Sequence, residues 1–237
     1  MKYVPDRTGR FKQRPHYEQA ELDDECEKII VDFLKAKYGE IKYPITTDDL
    51  TCLIERDAAD LDLYADLTKE GADVQGVTDF FPKGKPRVRI SRELSDHPTR
   101  ENRLRTTLSH EYGHVRFHDY VWKLDLKPED MLKELPSKVS PKCNRNALID
   151  AAPADWMEWQ AGYISGALLM PVSHVRKIVR NYSERAGVFA PLVTDSRHGQ
   201  ELRGLVVEAF KVSDDAARVR LSKLNVLSNR NLGPSLF

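Results

Sequence analysis

The chain has 237 residues, 37 basic and 37 acidic side chains and a formal net charge of zero, a length that suits one domain with a small appendage. No apolar run approaches the roughly 20 residues of a membrane helix, so a membrane span is excluded. Three cysteines (Cys26, Cys52, Cys143) without CxxC spacing exclude a disulfide framework, and neutrality excludes bulk electrostatic coating of nucleic acid.

Residues 1–24 carry Pro5, Gly9 and Pro15 without apolar periodicity, which predicts a flexible N-terminal arm. Its basic residues precede no apolar core, so no secretory signal is expected and a reducing cytoplasm fits best. Cys26, Ile29, Ile30, Phe33 and Leu34 then form one helical stripe, with Gly39 as a C-cap. Thr46 or Thr47 caps a second helix, with Asp48 and Asp49 in its first turn and Leu50, Leu53 and Ile54 facing inward. The period changes to two at Leu61 and Leu63, in the run Val77 to Phe81, and at Val88 and Ile90. With a turn over residues 82–86, these segments predict a small antiparallel sheet. Helical periodicity returns from Pro98 to about Tyr120. Residues 121–154, with four prolines, read as an insertion or long connection. A helix from Asp155 to Met170 is stopped by Pro171, and more helices follow to about Leu227.

Within the helix after the sheet stands His110-Glu111-Tyr112-Gly113-His114, an H-E-x-x-H pattern. Four residues make just over one turn, so both imidazoles project from one face and can share a zinc ion, with Glu111 beside it as general base. A catalytic zinc site takes three protein ligands, and two candidates exist. His118 continues the series, but about 12 Å of rise separates it from His110, too far for one tetrahedral centre. It reads instead as a residue behind the ligands or one at the helix end. Glu158 is the better third ligand, because Ala161, Gly162 and Ser165 on its face are small enough for another helix to approach closely.

His110 to His118 (H-E-Y-G-H-V-R-F-H), then Glu158-x-x-Ala161, then Ala167-Leu168-Leu169-Met170-Pro171 resemble the ImmA/IrrE family of small metallopeptidases. The resemblance covers residues 26–175 and rests on three separated elements in the family order. It implies zinc held by His110, His114 and Glu158, Glu111 as base, and a gluzincin-like α+β fold. That fold is mostly helical, with the sheet before the H-E-x-x-H helix. It also implies cleavage of a protein substrate, commonly a helix-turn-helix transcriptional repressor of a mobile element or stress response. The chain departs from the pattern at Gly162 and at Ile164-Ser165, and residues 121–154 lengthen the spacing from His114 to Glu158.

The expected organisation is therefore an arm over 1–24, a metallopeptidase domain over 25–171 and a C-terminal helical subdomain over 172–237. Tyr163, Tyr112 or an arginine could donate to the oxyanion. The substrate backbone would add as a strand at the edge of the 77–90 hairpin. Cys143, between Lys142 and Arg145, is either a quiet, partly buried residue or a low-pKa thiol able to cap the zinc.

The charge is unevenly spread: from Pro171 onward 11 basic residues face 6 acidic ones, while residues 26–170 carry 21 against 25. Phe210-Lys211-Val212-Ser213 joins two predicted helices in a helix-turn-helix-like layout, leaving Arg218, Arg220 and Lys223 available to DNA or to a partner. A second function class thus stands beside the peptidase, a DNA-associated regulator with a structural or vestigial zinc site.

Overall fold

The apolar stripe from Cys26 to Leu34 lies on α1 (Gln19–Tyr38), which opens with a capping box between Glu18 and Glu21 and ends at Gly39 in the left-handed conformation. The computed structural model describes residues 1–71, 73–81, 83–124, 142–144 (backbone) and 155–229. Helix α2 (Thr47–Asp57) is capped by Thr46, whose hydroxyl accepts from the Asp49 amide while the Asp49 carboxylate bonds back to Thr46. Leu50, Leu53 and Ile54 are fully buried on its inner face.

Strands β3 (Asp60–Ala65), β4 (Val74–Asp79), β5 (Arg87–Ser91) and β6 (Lys142–Asn144) form one sheet in the order β3-β5-β4-β6. The pairs β4–β5 and β4–β6 are antiparallel, whereas β3 runs parallel to β5. The sheet is therefore mixed, not the antiparallel one expected. Strand β5 returns from its hairpin into the gap between β4 and β3, and alternation along a strand carries no record of which neighbour it pairs with. Val88 and Ile90 of β5 are buried, while Arg89 on the opposite face pairs with Asp79 and Glu70.

After the short α3 (Arg92–Ser95) comes α4 (Glu101–Leu124), which packs on α5 (Trp156–Leu169), on α2 and on β4. Asp155 caps α5 by accepting from the amides of Met157 and Glu158. Gly113 lets α4 and α5 meet closely: a Cβ there would lie 3.2 Å from Ile164 Cγ2 and 3.5 Å from Ala161 Cα. Beside it, Ser109 and Ser165 share a 2.7 Å hydroxyl contact. Helix α6 (Val172–Ala186) follows Pro171, then come α7 (Arg197–Phe210) and α8 (Asp214–Lys223). Two short strands, β7 (Leu192–Val193) and β8 (Leu227–Ser228), pair in parallel around the last two helices.

Two expectations about the chain ends are corrected. The first residues form a docked hairpin, β1 (Lys2–Pro5) with β2 (Gln13–His16), rather than a flexible arm. Buried Phe11 meets Trp122 edge-on at 4.7 Å and Trp156 at 6.2 Å, and this single aromatic anchor replaces the missing periodicity. The C-terminal helices have no core of their own. Leu202, Val206, Phe210, Leu221 and Leu227 belong to the same buried cluster as Leu22, Ile54 and Ile164. Among the described residues, no helix is long and apolar enough to cross a membrane.

Candidate metal centre

Helix α4 brings His110 and His114 onto one face, and the first turn of α5 sets Glu158 against both. His110 Nε2 lies 3.1 Å from Glu158 Oε2, His114 Nε2 lies 3.2 Å from Glu158 Oε1, and the two Nε2 atoms are 3.2 Å apart. All three residues are buried, and their ligand atoms converge on one point. Two ligands at 2.0–2.1 Å from a tetrahedral ion are about 3.3–3.4 Å apart, close to this triangle, so the three residues could hold a metal ion. The donor set supports the fit, because imidazole nitrogen does not suit calcium or magnesium, which prefer oxygen.

Burial alone would raise the Glu158 pKa, but the adjacent His114 and His110 hold it far below the usual carboxylate range. Burial would likewise lower His114, yet Glu158 beside it keeps it above its ordinary value. Glu111 is raised by burial, against the pull of His114, His110 and Thr78. Its Oε2 accepts a 2.6 Å hydrogen bond from the Thr78 hydroxyl, and its Oε1 has no hydrogen-bond partner among the described residues. Strand β4 passes so close to this carboxylate that a Cβ at position 76 would lie 2.9 Å from both Glu111 Cγ and Cδ, so glycine there lets Glu111 keep this orientation.

His118 sits behind His114 and not at the triangle. Its Nδ1 is 3.0 Å from His114 Nδ1 and its Nε2 is 3.1 Å from Gln160 Oε1. Burial, then the neighbouring His114, pushes its pKa well below the usual value. Phe80, stacked on Trp122, stands edge-on to His114 at 6.5 Å and makes an apolar wall.

The other expected site residues lie elsewhere. Tyr163 donates to Asp23 Oδ2 at 3.0 Å, and burial pushes its phenol up to about 12. Tyr112 donates to Asp57 Oδ2 at 2.8 Å. Neither hydroxyl is turned to the metal triangle, so the oxyanion role expected of them is withdrawn. Arg220 is buried rather than presented to DNA: its Nη1 lies 2.7 Å from Asp23 Oδ1, its Nε donates to Met170 O at 3.1 Å, and its guanidinium covers the Tyr163 ring. Arg218 pairs with Asp215 at 3.3 Å, and Lys223 lies over the Trp159 ring. The substrate edge also differs from expectation, because β4 is flanked on both sides, by β5 and by β6. Cys143 of β6 stands opposite Gly76 in that register, while the position of its thiol lies outside the described residues.

Thr78, Gly76 and Gln160 are site residues that the sequence did not single out. A faint signal existed for one of them, since an isolated glycine inside a strand, as at Gly76, often marks a close approach of another group to the backbone. A scan against protein-family models finds no match to this chain, and a search of curated proteins finds no relative.

Proposed function

We propose that the chain is a zinc-dependent endopeptidase. The observation that carries this reading is the buried triangle of His110, His114 and Glu158 with the Glu111 carboxylate on the adjoining position of α4. Zinc bound there supplies Lewis acidity, polarising a peptide carbonyl and bringing a water toward a pKa of about 7. Glu111 takes the proton of the attacking water and returns it to the leaving amine, a task suited to a carboxyl raised by burial. Thr78 holds Oε2 at 2.6 Å and fixes the carboxylate plane, which leaves Oε1 for the proton transfer. Peptide addition to β4 requires β6 to leave that edge, and otherwise the outer edge of β6 takes the substrate.

The resemblance to ImmA/IrrE peptidases points to a helix-turn-helix repressor as substrate. The alternative, a DNA-associated regulator with a structural or vestigial zinc site, draws little support from the three basic residues assigned to it. One is buried, one is ion-paired and one lies on a tryptophan. The test is co-expression with a helix-turn-helix repressor, sought first among the products of neighbouring genes. Wild type cleaves it, whereas Glu111→Gln retains stoichiometric zinc by mass spectrometry and leaves it intact. Full cleavage by Glu111→Gln refutes the mechanism, and a wild-type chain without zinc refutes the metal reading.

A further inference from the structure

A chain of obligatory donors and acceptors runs from the N-terminal hairpin to the metal triangle. It begins at the Pro15 carbonyl of β2, which can only accept. Gln160 Nε2 lies 3.1 Å from that oxygen, so the amide end of Gln160 is the end that faces the hairpin. Its Oε1 therefore faces His118 Nε2 at 3.1 Å, and because Oε1 can only accept, His118 Nε2 carries a proton. His118 is fully buried, and the groups around its ring are His114, Gln160 and the edge-on Trp156 at 5.5 Å. Among the described residues no carboxylate lies within hydrogen-bond distance of its ring, and a buried imidazolium without an adjacent counter-charge is costly, so the ring is neutral and its Nδ1 is bare. The 3.0 Å contact to His114 Nδ1 then requires the proton to sit on His114. A neutral His114 with its proton on Nδ1 has its lone pair on Nε2, the atom that faces His110 and Glu158.

We propose that Gln160 and His118, anchored on the Pro15 carbonyl, are positioning residues that fix the His114 tautomer so that Nε2 is presented to the metal. The inference rests on the metal site proposed above and extends it to a part of the chain that contributes no ligand. The partner that orients a metal-bound histidine is commonly a carboxylate or a carbonyl. Here it is a second histidine, which can serve as acceptor only because Gln160 dictates where its own proton lies. The docked hairpin is thereby part of the metal site: Phe11 packs on Trp156, Arg14 covers the same indole, and the next residue, Pro15, supplies the carbonyl.

The test compares His118→Phe, His118→Asn and Gln160→Leu by competition of zinc with a chromophoric chelator. His118→Phe keeps the bulk and removes the acceptor, and weakens zinc binding on the order of 10–100-fold. His118→Asn loses bulk but can place Oδ1 where Nδ1 stood, and recovers most of the affinity. Packing alone would rank these two variants the other way, and that order overturns the proposal. Gln160→Leu falls between them, and an affinity within about twofold of wild type in that variant, with its melting temperature retained, also overturns it. Ring-nitrogen NMR of the metal-free protein reads the tautomer directly. His118 with its proton on Nε2 supports the relay, and a proton on Nδ1 refutes it. Wild-type protein that takes up no zinc defeats the metal reading, and with it the role of the relay, whatever tautomer His118 shows.

Discussion

Replacing Arg220 by methionine leaves the Asp23 carboxylate buried without its cation. Arg220 and Asp23 are 3% and 6% exposed, and the contact between Nη1 and Oδ1 is 2.7 Å. Removing one partner of such a pair costs about 3–5 kcal/mol, because the remaining charge has neither water nor a counter-ion. The hydrogen bond from Arg220 Nε to Met170 O is lost as well, while the one from Tyr163 Oη to Asp23 Oδ2 remains. For a chain of this size each kcal/mol shifts the melting temperature by about 2–4 °C, so Arg220→Met should melt about 6–20 °C below wild type. Replacing both residues, as Asp23→Leu with Arg220→Met, exchanges the ion pair for apolar contact and should restore most of that loss. Urea unfolding of the four proteins in the cycle measures the coupling, expected at about 2 kcal/mol or more. A loss below about 1 kcal/mol with no coupling refutes a structural role for this ion pair. An Arg220→Met protein of unchanged stability that had lost affinity for DNA would return this residue to the nucleic-acid reading.

Three further outcomes follow from the same geometry. Zinc at about 100 times its dissociation constant should stabilise the protein by about 2.7 kcal/mol, or raise its melting temperature by about 5–11 °C, and His110→Ala or His114→Ala should abolish the rise. A rise that survives both substitutions places the ion elsewhere. Gly76→Ala sets a methyl 2.9 Å from Glu111 Cγ and Cδ, inside the roughly 3.5 Å of ordinary carbon contact, and turns the base away from Thr78. Substrate turnover should fall about 100-fold with zinc affinity kept within about threefold, and undiminished turnover refutes the role given to the close approach. Burial would raise the Asp49 pKa, but Lys37, Thr46 and Tyr38 together hold it below the usual value. Its contribution is therefore present above about pH 4 and is lost as pH falls through the lower folded value. Asp49→Asn should cost about 1.5–3 kcal/mol at pH 7, with the gap narrowing below pH 4 in urea titrations, and a gap that widens on acidification contradicts this sign.

The residues legible in the sequence are those whose geometry is local. His110, Glu111 and His114 are set by helical spacing alone, and Glu158 was reached through small residues, of which Ala161 and Ser165 do line the contact with α4. Gly39 and Thr46, one of the two threonines expected to cap α2, are caps written in a few adjacent residues, and both cap in the structure. Contacts between distant segments left no such mark. Nothing near Arg220 distinguishes it from Arg218, because its partner Asp23 lies on α1. Tyr163 looked available for chemistry for the same reason. The parallel pairing of β3 with β5 depends on where the hairpin folds back, and Thr78 and Gly76 matter only because β4 runs against α4.

Helix α5 shows why the two chain ends bear on the site although neither supplies a ligand. One turn holds Glu158 against the histidines, and two residues later Gln160 reaches the Pro15 carbonyl of the N-terminal hairpin. Tyr163 bonds to Asp23 of α1, and beyond the end of the helix Arg220 of α8 grips the Met170 carbonyl. A ligand on a helix is placed only as well as the helix itself, and a displacement of about 1 Å is enough to cost a catalytic site about 100-fold. A basic tail attached for docking alone would leave α5 untouched. This one uses a buried arginine to hold it, while Arg203 and Arg197 pair within the tail, with Asp214 at 3.1 Å and with Glu201 at 2.7 Å. Pairing of Arg220 with Asp23 of α1 takes one positive charge from the excess after Pro171, and the same arginine makes the tail a brace for the helix that carries Glu158.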